Sequence, residues 1–235
     1  MTDPIVFLPG YLCDQRMYFA QAHDLSRDHV VVQAPLIGER CEEMASNILP
    51  QLPRRFALVG ASLGGIVALE ILRKAPDRVS RVCLISTDAL PEAPNIAAAR
   101  EPQIVQCRTG QVDQAISAAM PSDAFAPGPD RAEVAALFGD MARAYGARGF
   151  EVHTRALQRR KDHQSSLYRA QCPVQIIAGT HDTIVTAKRQ EFMAGLIPNG
   201  SFAQLDKAGH LPTLEDPRGV TEILRNWLNP KAKAA

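Results

Sequence analysis

The chain is predicted to fold as a three-layer α/β domain, with about six strands in a mostly parallel sheet and a helical insert near its middle. Short apolar runs recur along it, and most are followed by a turn and a helix-like segment. Most of these runs are continuously apolar rather than alternating, as suits strands buried on both faces of a parallel sheet. At 235 residues, 46% hydrophobic and 22% charged, the chain is long enough to bury a large core without disulfide or metal staples.

Taken in order, the expected strands are Ile5 to Leu8, Val30 to Val32, Phe56 to Val59, Val82 to Ile85 and Val174 to Ala178, with a weaker run from Ser201 to Leu205. Ile66 to Lys74 and Val220 to Leu228 carry apolar residues at helical spacing, with Pro76 and Pro230 just beyond them, where proline cannot continue a helix. From about residue 91 to residue 170 no buried strand is expected. Alanine-rich helical patterns run over Val112 to Met120 and Arg131 to Ala144, broken at Pro121, at Pro127-Gly128-Pro129 and at Gly146 and Gly149. That stretch is too long for a loop and reads as a helical cap over the carboxyl ends of the strands, the alternative being a decoration remote from any site. The expected division is a core of 1–90 and 170–235 and a cap of 91–169, with residues 231–235 a frayed tail.

Composition narrows the function. Twenty-six Lys and Arg against 25 Asp and Glu leave a formal net charge of +1, which gives no basic excess for a run of phosphates and argues against a nucleic-acid partner. The cysteines Cys13, Cys41, Cys83, Cys107 and Cys172 are odd in number and widely spaced. They fit reduced thiols in a cytoplasmic protein better than a disulfide framework or a zinc site. Met1-Thr2-Asp3-Pro4 leads straight into the first strand without a basic segment or cleavage site, so no secretory signal is expected. No apolar run approaches the ~20 residues that span a bilayer. No nucleotide-binding glycine motif is present, and no cofactor or metal is expected.

The chemistry concentrates at Gly60-Ala61-Ser62-Leu63-Gly64, followed by Gly65. This G-x-S-x-G string sits between the strand ending at Val59 and the helix that follows, the context in which a tight turn exposes a serine hydroxyl. The turn also puts the Leu63 N–H at a helix start, where it can donate to a developing oxyanion. A serine hydroxyl needs a base to take its proton and a third group to orient that base. Among the six histidines, His210 is best placed, in a short loop after the last candidate strand. Asp182, in Gly179-Thr180-His181-Asp182 after the strand from Val174, is the first choice of acid, and Asp88, also beyond a strand end, is the fallback.

Ser62, Asp182 and His210 in that order, together with the motif around Ser62, resemble the α/β-hydrolase fold superfamily, specifically a short serine-hydrolase or carboxylesterase-like member. The resemblance includes Leu8-Pro9-Gly10-Tyr11 and Gly209-His210-Leu211-Pro212 and covers roughly residues 4–90 and 170–230. It implies a Ser62, Asp182 and His210 triad, with the N–H of Tyr11 joining that of Leu63 as oxyanion donors. Two departures stand out: Pro9 replaces the histidine usual before the glycine, and the first strands of the fold are missing.

The implied reaction is hydrolysis of a small-molecule carboxylic ester or thioester through an acyl-enzyme. Lactones and carbon–carbon bonds are alternatives on the same triad, and a non-catalytic ligand-binding member is a further one. Leu12, Phe138, Tyr145 and Phe150 are expected either to line an apolar substrate pocket or to pack between cap and core. Arg155, Arg159, Arg160 and Lys161 form a basic cluster, either a solvated helix face or a docking patch for an anionic carrier or carboxylate substrate. Monomer and homodimer both remain open.

Overall fold

The computed structural model describes residues 2–229. Pro230, expected to stop the last helix, and the tail of 231–235 lie outside the described residues. Six strands form one sheet: β1 (Ile5–Leu8), β2 (Val31–Gln33), β3 (Phe56–Ala61), β4 (Val79–Ile85), β5 (Val174–Gly179) and β6 (Gly200–Leu205). Their order is β2-β1-β3-β4-β5-β6, and every neighbouring pair is parallel. The register sets Phe7 beside Val59, Val59 beside Cys83 and Ile85 beside Ile177, so the carboxyl ends of the central strands finish together.

Every residue of β1, β3 and β5 is buried. Successive strand residues point to opposite faces, so burial of all of them requires cover on both sides of the sheet. The edges are treated differently: β2 is three residues long, and β6 is only partly buried. Short or partly polar edge strands limit pairing with another chain. Two strand boundaries move from the sequence expectation. Val30 is exposed and precedes β2, although its carbonyl still accepts from Ile5 N–H at 2.8 Å. β4 begins at Val79 rather than Val82, because the polar residues Ser80 and Arg81 lie within it, and Arg81 caps the carbonyls of Trp227 and Leu228.

The helices are α1 (Phe19–Leu25), α2 (Cys41–Ile48), α3 (Leu63–Lys74), α4 (Pro94–Arg108), α5 (Val112–Ala119), α6 (Arg131–Gln158), α7 (Gln164–Tyr168), α8 (Ala187–Gly195), α9 (Pro212–Glu215) and α10 (Pro217–Leu228). Helix α3 is buried from Leu63 through Leu72, α2 packs beside it, and α1 packs against α10. The chain between β4 and β5 contains α4 to α7 and no strand. Helix α4 escapes a periodicity reading because Pro102 lies inside it and only Ile104 and Cys107 are buried. Helix α6 extends well past Ala144 and turns at Gly146, whose backbone leaves the helical region at φ 63°; Gly149 continues the helix. Among the described residues, no helix is long and apolar enough to cross a membrane.

A tight backbone approach lies beneath the Ser62 turn. A Cβ on Gly64 would run into the carbonyl oxygens of Leu8 and Pro9, and one on Gly60 would meet the backbone of Gly64. Helix α3 therefore starts in contact with the end of β1. Gly64→Ala is expected to lower the unfolding free energy by about 1–3 kcal/mol through overpacking, measured as a lower urea midpoint with an unchanged slope.

Candidate active site

Ser62 links β3 to α3 and holds φ 48°, ψ −116°, a left-handed backbone that non-glycine residues rarely adopt. Such a conformation costs on the order of 1–3 kcal/mol and persists only where its surroundings enforce it. Here Ser62 N–H donates to Ile85 O at 2.9 Å, and Thr87 Oγ1 donates to Ser62 O at 2.9 Å. The two ties fix the turn to the end of β4.

His210 reaches the turn from the loop after β6. Its Nε2 lies 3.1 Å from Ser62 Oγ, and its Nδ1 lies 3.0 and 2.9 Å from the two carboxylate oxygens of Asp182. Both His210 and Asp182 are buried. Asp182 Oδ1 also accepts the amides of Ile184 and Val185, each at 2.9 Å, which holds the carboxylate in place. The histidine loop is clamped in turn by Glu215, which accepts from the N–H groups of Gly209 and Leu211 at 2.9 and 2.8 Å, while His210 N–H donates to Ala124 O at 2.7 Å. Asp88 does not meet the imidazole. It accepts Leu90 N–H at 2.8 Å and pairs with Arg189 at 3.1 Å.

Two backbone amides of the candidate site, those of Leu63 and Tyr11, have no acceptor among the described residues. Leu63 is the first residue of α3, so its N–H has no partner within the helix. Around Tyr11, the amides of Gly10, Leu12 and Cys13 donate to Met17 Sδ, His153 Nδ1 and Gly10 O. The Tyr11 N–H has no acceptor among the described residues. Helix α6 grips this loop at three points. Leu12 N–H donates to His153 Nδ1 at 3.2 Å, Tyr11 Oη donates to Thr154 Oγ1 at 2.8 Å, and Tyr145 Oη donates to Cys13 O at 2.8 Å. Thr154 spends its own proton on Phe150 O, which makes Tyr11 the donor; burial pushes that phenol up to about 12 and keeps it protonated.

The model of the alpha/beta hydrolase family matches residues 5–223. The chain belongs to the alpha/beta hydrolase family. It is 26% identical over 209 residues to a pimeloyl-[acyl-carrier protein] methyl ester esterase of Aromatoleum aromaticum, covering 82% of this chain and 81% of that one. A thermophilic esterase from Thermogutta terrifontis superposes with a TM-score of 0.85 at 26% identity, over 97% of this chain and 89% of that one. The enol-lactonase of Burkholderia xenovorans LB400 also reaches 0.85, at 23% identity over 97% and 92% of the two chains, a likeness of fold. The six-stranded sheet is therefore that of a short alpha/beta hydrolase, and the protein is an enzyme of hydrolase type.

In this hydrolase, Ser62 and His210 line a cavity of about 170 Å³. Its apolar wall includes Ile66, Ile96, Met120 and Leu157; its charged wall includes Asp88, Glu92, Arg100, Arg160 and Arg189. Leu12, Phe138, Tyr145 and Phe150 are absent from that lining, which corrects their expected role as pocket residues. They pack between α6 and the core: Leu12, Phe138 and Phe150 are buried, Phe138 lies against Phe125, and Phe150 meets Tyr11 edge-on at 6.3 Å. Tyr145 borders a separate cleft beside Pro9 and Asp14.

The expected basic cluster also divides. Arg155 pairs with Glu101, Lys161 pairs with Glu42 at 2.8 Å, and Arg159 borders a surface cleft with Glu39 and Glu151. Only Arg160 enters the Ser62 cavity. A larger cleft of about 760 Å³ holds Arg55, Arg73 and Cys172, at the amino ends of β4 and β5, and contains no serine set against a histidine.

Ser86 and Glu215 were missed by the sequence reading. Ser86, directly after β4, repeats the φ of 48° and buries a hydroxyl without a partner on the cavity wall. Its place at a strand end was a usable signal. Glu215 gives none, since its role exists only once α9 folds under the histidine loop.

Burial pushes the His153 imidazole from its ordinary 6.5 down to about 4, opposed by the carbonyl of Leu36. The unfolded chain thus takes up a proton at higher pH than the folded one, so stability is complete above about 6.5 and falls as the pH drops toward 4. At about 1.4 kcal/mol per pH unit the loss is on the order of 3 kcal/mol. Urea titrations at pH 7 and 4.5 should show this loss, and His153→Gln should flatten it.

Proposed function

We propose that this enzyme hydrolyses small carboxylic esters or thioesters through an acyl-enzyme on Ser62. The observation that carries the reading is the unbroken relay from Ser62 Oγ through His210 Nε2 and Nδ1 to the Asp182 carboxylate, buried at the carboxyl end of the sheet. Its relative in Aromatoleum aromaticum, named for methyl ester hydrolysis, supports the same chemistry.

In the proposed mechanism, Ser62 Oγ attacks the substrate carbonyl carbon as His210 Nε2 takes the hydroxyl proton. Asp182 accepts from Nδ1–H and stabilises the imidazolium that forms. The carbonyl oxygen becomes an oxyanion held by the N–H groups of Leu63 and Tyr11, each such donor being worth about 10²–10³ in rate. The tetrahedral adduct collapses, His210 returns its proton to the leaving alkoxide or thiolate, and an ester remains on Ser62. Water then attacks that ester with His210 again as base, and Ser62 leaves as the free hydroxyl.

Helices α4 to α6 act in this reading as a cap, because Arg100 of α4, Ala119 of α5 and Leu157 of α6 line the cavity that holds Ser62, whereas α7 packs on α3. At about 170 Å³ the cavity is smaller than the roughly 300–1,000 Å³ that takes drug-sized ligands, so short acyl groups are favoured. The free cysteines agree with a cytoplasmic enzyme.

Ser62→Ala is expected to reduce ester turnover by at least about 10⁴-fold while far-UV circular dichroism stays unchanged. Wild type should label at Ser62 with a fluorophosphonate. Near-normal esterase activity in the variant would sink the assignment. Across a p-nitrophenyl ester series, acetate and butyrate should exceed decanoate by about tenfold or more in kcat/KM, as the cavity size requires.

A further inference from the structure

The cavity beside Ser62 carries more positive charge than it compensates. Three guanidinium groups, of Arg100, Arg160 and Arg189, share it with two carboxylates, of Asp88 and Glu92. Arg160 is held on two sides: Nε donates to Leu90 O at 2.9 Å and Nη1 to Glu92 Oε1 at 2.6 Å, while Nη2 faces Asp88 at 3.8 Å, an ion pair without a hydrogen bond. Glu92 is fully engaged, since its second oxygen accepts from Arg100 Nε at 2.6 Å. Asp88 Oδ1 takes the amide of Leu90, and Oδ2 faces both Arg160 and Arg189.

The larger reserve of donors is on the other two arginines. Arg100 has a side chain only 13% exposed and uses Nε alone, while its guanidinium sits 5.8 Å over the Tyr11 ring. Neither of its Nη groups has an acceptor among the described residues. Arg189, 40% exposed, approaches Asp88 through Nε at 3.1 Å but out of line for a hydrogen bond, and its Nη groups have no acceptor there either. Donors left free on a guanidinium that borders a cavity are ready partners for an anion, and Arg189 Nε is both buried and without an acceptor. The planar fork of arginine matches the two oxygens of a carboxylate.

We propose that the Ser62 cavity selects substrates whose acyl part carries a free carboxylate, with Arg100 and Arg189 as its anchors. The proposal rests on the hydrolase reading of Ser62 and names its substrate class. The ester carbonyl lies at Ser62, the apolar wall of Ile66, Ile96 and Met120 takes a short methylene spacer, and the carboxylate meets the two arginines. Asp88 thereby gains a role different from a triad acid: with Glu92 it fixes the arginines and leaves their outer edges open.

The test compares half-esters of short dicarboxylic acids, monomethyl glutarate and monomethyl adipate, with the methyl esters of the corresponding neutral acids. Wild type should favour the anionic ester by about tenfold to a hundredfold in kcat/KM, the equivalent of one charge-assisted hydrogen-bond pair. Arg100→Gln and Arg189→Gln should each shrink that ratio by about tenfold, mainly through KM for the anionic ester. The exposed Arg189 keeps the test available if the Arg100 variant does not fold. Calorimetric titration of glutarate into the Ser62→Ala variant reads the anchor without turnover, and Arg189→Gln in that background should weaken binding by about tenfold.

Equal kcat/KM for anionic and neutral esters, or a preference that survives both arginine substitutions, would overturn the inference. If Ser62→Ala abolishes turnover but half-esters gain nothing, the substrate class fails and the hydrolase reading stands. If Ser62→Ala keeps its activity while glutarate binds through Arg189, the hydrolase reading fails and the anion anchor stands.

Discussion

The site depends on a backbone held where a serine would not go by itself. Ser62 at φ 48° projects its hydroxyl from the end of β3, and its two backbone ties to Ile85 and Thr87 prevent relaxation. The same turn forces α3 against the end of β1, a contact open only to a residue without a side chain at Gly64. The strained backbone of Ser62, a helix start with a free amide and a packed strand end are therefore one constraint. Relaxing any of the three moves the other two.

A second dependence runs through helix α6. His153, Thr154 and Tyr145 of α6 bind Leu12, Tyr11 and Cys13, so the loop bearing the Tyr11 amide is positioned by chain more than 130 residues away. These bonds are buried or partly buried, and His153 serves as acceptor only while neutral, which its burial enforces. Helix α6 both lines the cavity through Leu157 and holds the loop that bears Tyr11. Tyr145, His153 and Thr154 thus act on the Tyr11 loop from outside the cavity lining.

The charged wall completes the picture. Glu92 and Arg160 are nearly enclosed and satisfied by each other, whereas Arg100 and Arg189 keep donors in reserve. Carboxylates that neutralised the wall fully would make the cavity suited to neutral esters alone. The observed imbalance leaves donors free on the cavity wall, the feature on which the proposed carboxylate anchor rests.

Much of this was legible in the amino-acid order. Continuous apolar runs announce doubly buried strands, and the glycines flanking Ser62 announce a turn that needs close backbone approach; both signals are local, because β periodicity and backbone permissiveness belong to a few adjacent residues. The placement of Ser62 and His210 beyond strand ends follows from those same signals. Tertiary structure alone decided that Asp182 rather than Asp88 reaches His210, since both follow strands and only the packing of β5 against the histidine loop distinguishes them. It also turned Leu12, Phe138, Tyr145 and Phe150 into packing between α6 and the core, and gathered Arg100, Arg160 and Arg189 from three separate segments around one cavity. The physical reason is the same throughout: a residue's own conformation is set by its neighbours in the chain, but what its side chain touches is set by which distant surfaces the collapse brings together.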